Sequence, residues 1–154
     1  MELQVTQENI NRAFSSVARV ANSRGTLPIL SNILIKTVDN RLSVSATNLD
    51  IAITHLIGAK VKKEGSITVP ARLIHEFVGS LPGGILVLKQ TENRLAIDAG
   101  KYQSTINGIS AEDYPVMPVI SKGKKWNISS KALKEALQQT VMAASSDESR
   151  PVLT

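Results

Sequence analysis

The chain has 154 residues, of which 42% are hydrophobic and only 3% aromatic. This length allows one ordinary domain with a short extension, and its core must be aliphatic because aromatic side chains are few. The absence of cysteine excludes disulfides and thiolate metal sites, and it fits a reducing cytoplasm. The sequence shows neither a membrane-length apolar run nor a signal-peptide pattern. The net charge of +5 permits a polyanionic partner but equally fits a solvated basic surface.

The first part of the chain alternates the patterns of strands and helices. Apolar residues at helical spacing identify one helix, and β-branched or alternating segments identify the strands. In chain order these predicted elements are a strand at 3–5, a helix at 7–22, strands at 29–38, 42–47 and 51–57, and a charged turn at 60–65.

A similar order follows in the next part. Pro70 suits the first position of a second helix, where its missing N–H costs nothing. This helix stands between a short strand at 67–69 and strands near 85–90, 94–99 and 101–107. The first ~107 residues therefore predict an α+β fold of two β-α-βββ units, with helices on one face of antiparallel sheets. Residues 108–123, rich in glycine and proline, predict a connector.

After the connector the pattern begins again. Trp126 and Ile128 predict a strand, and the helical pattern that follows superposes on the first helix at a shift of 123 positions without a gap. Only five of the 31 overlapped positions are identical, but the apolar positions and a Pro-apolar-Leu segment coincide. A repeat of this length predicts a tandem domain, although two amphipathic helices could also coincide by chance. The second copy is expected to be incomplete.

Several short motifs are similar to those of a known family, the bacterial sliding clamps, which are beta subunits of DNA polymerase III. The motifs are Thr26-Leu27-Pro28-Ile29-Leu30, Ala46-Thr47-Asn48-Leu49-Asp50, Thr68-Val69-Pro70-Ala71-Arg72, Glu112-Asp113-Tyr114-Pro115 and Asp147-Glu148-Ser149-Arg150-Pro151-Val152-Leu153. The resemblance covers the whole chain in order. It implies a complete clamp domain over 1–120 and the start of a second over 121–154.

The resemblance further implies what the whole protein does. Two chains, each with three clamp domains, would form a ring around duplex DNA and tether the replicative polymerase in the cytoplasm. The implied partners are double-stranded DNA, the polymerase, the clamp loader and a second clamp chain, with no membrane and no cofactor.

Basic residues on the helices are the candidates for contact with DNA. The resemblance implies that Arg24 and Arg72 reach phosphates. Arg12 and Arg19 lie on the polar side of the first helix, and Lys131 and Lys134 lie on the polar side of the last. A sliding protein should contact the phosphate backbone and not the bases, so loosely placed cations suffice. A solvated helix face remains the alternative for each of these residues.

The resemblance also implies two protein interfaces. Arg150 and Leu153 match part of a pocket that binds partner peptides. The edge that meets the other chain would include Leu73, Phe77, Lys101, Gln103, Ser104 and Ile106. An ordinary edge strand is the alternative for the last four of these residues.

No catalytic motif is apparent in the sequence. His55 and His75 are the only histidines and have no partner at metal-ligand spacing, and neither a nucleophile elbow nor a Walker motif is present. We therefore expect a non-catalytic protein. The alternative to a clamp is a protein-interaction module that docks through an exposed edge strand.

Overall fold

The computed structural model describes residues 1–21, 27–117, 123–145, 147, 149–150 and 152. The chain divides into two units, Met1–Pro118 and Val119–Thr154. None of the helices in these described ranges has the length and apolar character that crossing a membrane requires.

The first unit contains nine strands and two α-helices within the described residues. They are β1 (Glu2–Thr6), α1 (Gln7–Ala21), β2 (Asn32–Val38), β3 (Arg41–Thr47), β4 (Ala52–Gly58), β5 (Lys60–Lys63), β6 (Ser66–Pro70), α2 (Ala71–Ser80), β7 (Ile85–Thr91), β8 (Arg94–Asp98) and β9 (Gln103–Asn107). Short 3-10 turns occur at Pro28–Ser31 and Ala111–Asp113.

The strands form two antiparallel sheets. The first sheet has the order β5-β1-β7-β8-β9, and the second has the order β4-β3-β2-β6. The two β-α-βββ motifs of the first unit exchange their first strands. β1 of the first motif pairs with β7 of the second, and β6 of the second motif pairs with β2 of the first. The predicted α+β class with helices on antiparallel sheets is confirmed.

The helices cover the core because their apolar residues recur on one face. α1 buries Ile10, Ala13, Phe14, Val17 and Ala21, and it packs beside α2 and against β3 and β4. Isoleucine, leucine and valine from both sheets complete a single aliphatic core, as the composition predicted.

Three local predictions for residues 29–71 were wrong. The lysine-rich segment forms strand β5, because Lys60–Lys63 pairs with β1. Pro70 is the last residue of β6 and the N-cap of α2, with φ −56° and ψ 120°, so the helix begins at Ala71. The strand predicted at 29–38 begins only at Asn32, since the preceding residues form a 3-10 turn that starts at Pro28.

The second unit contains α3 (Ser130–Thr140), followed by a 3-10 turn at Val141–Ala143. The predicted helix is therefore present, but the predicted strand at Trp126 and Ile128 is not; both side chains are exposed. A strand requires a hydrogen-bonded neighbour. In the first unit, β1 has β5 and β7 as neighbours, whereas the described part of the second unit contains no strand.

The motifs that carried the family resemblance mostly stabilise loops. The Asn48 Oδ1 atom accepts hydrogen bonds from the backbone N–H groups of Asp50 and Ile51, at 3.1 and 2.8 Å. The buried Thr68 hydroxyl donates to the carbonyl of Ile109 at 3.0 Å and accepts from the Asn32 amide at 3.2 Å. These side chains replace backbone partners that irregular segments lack.

Candidate nucleic-acid interface

Three arginines lie on the exposed side of the helices in the first unit. Arg12 and Arg19 are on α1, and Arg72 is the second residue of α2. Arg19 and Arg72 line one groove of ≈ 560 Å³, which we call the helix groove. Its lining consists of Ser15, Ala18, Arg19, Ala21, Ser31, Pro70, Ala71, Arg72 and His75.

Two of these arginines are paired with glutamates one helical turn away. Arg12 Nη2 lies 3.0 Å from Glu8 Oε1, and Arg72 Nε lies 2.8 Å from Glu76 Oε1. The hydrogen bond and the negative charge of Glu76 raise the pKa of Arg72 above its usual value. Both pairs are well exposed, and each guanidinium has five donors, so N–H groups remain for a further anion.

The N-terminus of α2 adds uncompensated dipoles to the helix groove. The N-cap residue Pro70 makes no side-chain cap, so the first N–H groups of the helix lack a capping acceptor from it. Helix N-termini favour anions for this reason. The groove therefore combines cationic side chains with a helix N-terminus, an arrangement suited to phosphate oxygens.

Arg12 is not among the residues that line this groove, and Arg24 lies outside the described residues. Lys134 is exposed on α3 in the second unit, where it lines a separate groove beside the apolar residues Leu133, Leu137 and Val141. The sequence interpretation thus grouped residues that belong to two different units.

The proposed partner-peptide pocket is represented by one described residue. Arg150 is exposed in a bend, and Leu153 lies outside the described residues. Nearby, the Asp147 carboxylate accepts hydrogen bonds from the Ser149 backbone N–H and hydroxyl, at 2.9 and 2.8 Å. These bonds lower the pKa of Asp147, so the carboxylate is charged at neutral pH.

The residues predicted for the interface with a second chain differ in their exposure and in the elements that carry them. Strand β9 is an edge of its sheet, as predicted, but it begins at Gln103, so Lys101 lies in the preceding bend. Ile106 is only 3% exposed and packs in the core, so its side chain offers little surface to another chain. Ser104 is half-buried on the same side of the strand as Ile106. On α2, Leu73 is exposed and Phe77 is partly buried against the core.

The ladder between β8 and β9 shows which backbone groups of the edge are free. Gly108 N–H donates to Asn93 C=O at 2.7 Å, and Ala99 N–H donates to Tyr102 C=O at 2.9 Å. Bonded pairs alternate along an antiparallel ladder, so every second residue of β9 points its backbone groups outward. Gln103, Thr105 and Asn107 are these residues, and their side chains are also exposed.

The two histidines lie on different elements, His55 on β4 and His75 on α2. Within the described ranges, no group of three His, Cys, Asp or Glu side chains is placed to hold a metal ion. His75 lines the helix groove together with two arginines, where a cation would be repelled and an anion attracted.

Comparison with known proteins identifies the family. The family described as "DNA polymerase III beta subunit, N-terminal domain" matches residues 1–118. The chain belongs to this family. The beta sliding clamp of Synechococcus elongatus is 32% identical to it, and the match covers 100% of this chain and 42% of that protein. The beta sliding clamp of Bacillus subtilis is 31% identical and is covered to 43%.

Solved clamp structures have the same fold. A sliding clamp from Bacillus subtilis superposes with a TM-score of 0.92 and 29% identity over 100% of this chain and 43% of that one. The beta subunit from Caulobacter crescentus gives a TM-score of 0.87 and 34% identity over 96% of this chain and 40% of that one. The present chain thus spans about two fifths of the clamps that it matches.

The structure adds one group to the DNA-contact candidates in the first unit, because His75 joins Arg19 and Arg72 in the helix groove. The spacing of Arg12, Ser15 and Arg19 along one helix face is visible in the sequence and indicates that the two arginines share a side of α1. No sequence signal indicated that the start of α2 would lie beside this side, because that depends on how the two helices pack.

Proposed function

We propose that this chain supplies the first domain and the beginning of the second domain of a DNA sliding clamp. The clamp would encircle duplex DNA, tether the replicative polymerase and perform no catalysis of its own. Membership of the clamp family is the observation that carries the proposal. The clamp would act in the bacterial cytoplasm on double-stranded DNA, with the polymerase, the clamp loader and a second clamp chain as partners.

The charge of the helical side supports contact with DNA. Arg12, Arg19 and Arg72 are exposed there, and sequence-independent binding requires only cations within reach of phosphates. Arg24 and Lys134 are proposed to contribute in the same way. The glutamates that pair with Arg12 and Arg72 keep these contacts weak, which suits a protein that must move along DNA.

The free strand edges support assembly into a ring. Within the described residues, β5 carries three lysines and β6 is bridged by Ile109, so two of the four sheet edges are protected. The other two edge strands, β4 and β9, contain no Asp, Glu, Lys or Arg. These two edges belong to different sheets. Pairing β4 of one copy with β9 of the next would therefore be a head-to-tail contact, and such contacts close into a ring when the rotation between successive copies allows it.

Salt-dependent binding to duplex DNA tests the helical surface. We expect the chain to bind weakly, with a Kd in the range of about 10⁻⁴–10⁻⁶ M at physiological salt. Arg72→Gln should weaken binding to all sequences alike and reduce the slope of log K against log salt by about 0.9. Arg24→Ala should act in the same direction. Glu76→Gln should strengthen binding because it releases Arg72 and removes a negative charge.

Arg94→Gln is the matched control. Arg94 is an exposed arginine of β8, and its neighbour Leu95 points into the core, so Arg94 lies on the sheet face away from the core. This change removes the same charge and should leave the salt slope unaltered. Equal slopes for Arg72→Gln, Arg94→Gln and the unchanged chain would exclude Arg72 as a phosphate contact.

A chimera tests the tethering function. Residues 1–118 of this chain would replace the matching domain of the Bacillus subtilis clamp, and the chimera would be loaded onto nicked circular DNA with that organism's loader. A topological tether should remain on the circle through gel filtration at high salt and be lost once the DNA is linearised. Retention on linear DNA would argue against encirclement.

The alternative is a protein-interaction module that uses a free edge strand and has no role on DNA. The uncharged edge β9, with outward backbone groups at Gln103, Thr105 and Asn107, is the observation that favours it. Such a module would show no salt-dependent affinity for duplex DNA, and Arg72→Gln would leave its partner binding unchanged.

A further inference from the structure

The outer face of the first sheet carries lysines that the DNA-facing helices do not use. β1 lies between β5 and β7, and Glu2 of β1 has Lys63 and Lys89 as its cross-strand partners. Lys62 Nζ also bonds Glu2 Oε1 at 3.1 Å. With Lys60, these lysines form a group of four exposed ammonium groups, which we call the lysine strip.

A β-bulge places the three lysines of β5, which are Lys60, Lys62 and Lys63, on one face of the sheet. In a regular strand, Lys62 and Lys63 would point to opposite faces. The register shifts between Glu2 and Leu3, so that Lys63 is opposite Glu2 while Val61 is opposite Leu3, and Lys62 is the additional residue. Leu3 is buried and Glu2 faces outward, so the bulge turns Lys63 to the outer face with Lys60 and Lys62.

The lysine strip has an excess of positive charge. Lys62 and Lys89 both lower the pKa of Glu2, and the hydrogen bond from Lys62 is the largest cause. Glu64, next to Lys63 along the chain, and Asp98, which lines a groove with Lys89, are the other nearby carboxylates. The Met1 ammonium adds positive charge, and burial together with Lys63 lowers its pKa. Five ammonium groups therefore face three carboxylates, and the excess is available to an external anion.

An apolar groove adjoins the strip. Its volume is ≈ 510 Å³, and its lining includes Lys60, Ala59, Gly58 and Ile85. Ile85 is 64% exposed, which is unusual for an isoleucine in a strand. A nucleic-acid strand would prefer aromatic stacking platforms. Aliphatic surface beside several ammonium groups suits an acidic peptide that also contains an aliphatic side chain.

We propose that the lysine strip and its groove bind an acidic, extended peptide segment of a partner protein. Carboxylates of the peptide would pair with Lys62, Lys63 and Lys89, while an aliphatic side chain would pack against Ile85. This site is separate from the helix groove and does not depend on the proposed contact with DNA.

The test measures binding of the full chain to a fluorescein-labelled peptide by anisotropy at physiological salt. The peptide is about ten residues long, roughly 33 Å when extended, with alternating glutamates and one leucine. The triple variant Lys62→Gln, Lys63→Gln, Lys89→Gln should weaken binding about tenfold, because three surface ion pairs are lost. Thermal unfolding would verify that this variant folds. If the triple variant does not fold, Lys89→Gln alone can be used, and it should give a smaller loss of peptide affinity.

A second triple variant is the matched control. Lys36→Gln, Arg41→Gln and Lys101→Gln remove the same charge from exposed positions of the first unit outside the lysine strip and should change the affinity by less than about twofold. Ile85→Ser should weaken binding of the leucine peptide but not of a leucine-free version. Equal losses from both triple variants, equal binding of a peptide with glutamine in place of glutamate, or tighter binding of an oligothymidylate of the same charge would each overturn the proposal.

Discussion

At the scale of single residues, Tyr114 connects the connector segment to the second sheet. It is 5% exposed, and its hydroxyl accepts from the Thr47 backbone N–H and donates to the Asn32 carbonyl, both at 3.2 Å. One side chain thereby satisfies backbone groups on β3 and β2. Tyr114 belongs to a motif that suggested the family, and its role in the structure is to hold the fold.

Tyr114→Phe should therefore destabilise the first unit without affecting binding to DNA. The change leaves a buried N–H and a carbonyl without this partner, and we expect the free energy of unfolding to fall by about 1–3 kcal/mol. Urea unfolding followed by circular dichroism would measure it. Tyr102→Phe is the control, because Tyr102 is 54% exposed and should change stability by less than about 0.5 kcal/mol. Equal effects of the two changes would contradict the assigned bonds.

The same residue predicts a dependence of stability on alkaline pH. Burial raises the pKa of Tyr114 above its usual value of about 10, and the hydrogen bond from Thr47 opposes this only in part. The neutral phenol is thus favoured in the folded state. The contribution of the neutral Tyr114 phenol to the free energy of unfolding is complete below pH ~10 and is lost as the pH rises through the folded-state pKa.

Stability measured between pH 9 and roughly 12 would reveal this loss as a falling difference between the unchanged chain and Tyr114→Phe. A difference that stays constant, or grows with pH, would mean that the hydroxyl is not buried as described.

At the scale of elements, the junction between the two sheets depends on a close approach of backbone. Ile109 exchanges two hydrogen bonds of 3.0 Å with Thr68 of β6, directly after β9 has ended. The preceding residue is Gly108, where an added Cβ would lie 2.3 Å from the Thr68 carbonyl oxygen. Only glycine allows the connector to cross β6 at this distance.

Gly108→Ala should disrupt this junction. The clash involves backbone and the Ile67 side chain, so neither neighbour can move away easily, and we expect a loss of about 3 kcal/mol in the free energy of unfolding. Gly58→Ala is the control, since an added Cβ there has no neighbour within 4 Å. It should be neutral or stabilising by up to about 1 kcal/mol. Similar melting temperatures for the two variants would contradict the close approach.

At the scale of the whole molecule, the two units differ in how well their apolar side chains are buried. In the second unit, Leu133, Leu137 and Val141 are 44%, 51% and 64% exposed, whereas Ile10 and Phe14, the α1 counterparts of Leu133 and Leu137, are fully buried. The sheets that cover α1 have no equivalent in the described part of the second unit. Stability therefore rests on the first unit.

We expect this chain of 16.6 kDa to sediment as a monomer, or as a weak dimer through β9. Thr105→Pro should abolish such a dimer because it removes an N–H that points outward from the edge. Ser104→Pro is the contrast: its N–H bonds to β8 within the ladder, so that change should destabilise the fold. A stable ring-sized oligomer of this chain alone would contradict the expectation that the ring is built from chains with three clamp domains each.

The sequence by itself determined the elements and the family. Apolar spacing defined both helices of the first unit and α3, and alternation defined most strands, because these patterns depend on neighbours a few residues apart. The ordered motifs identified the clamp family before any packing was known. They also selected Arg72, which the structure places beside Arg19 and His75 in the helix groove.

Only the tertiary structure decided how the two halves interlock. Pairing β1 with β7 and β2 with β6 joins residues far apart in the chain, and no local pattern encodes that choice. The same pairing makes Lys60–Lys63 a strand, and the bulge beside Glu2 turns its lysines outward. It also directs the Ile106 side chain into the core. Such outcomes depend on which strand lies alongside, and that is fixed only when the whole core is formed.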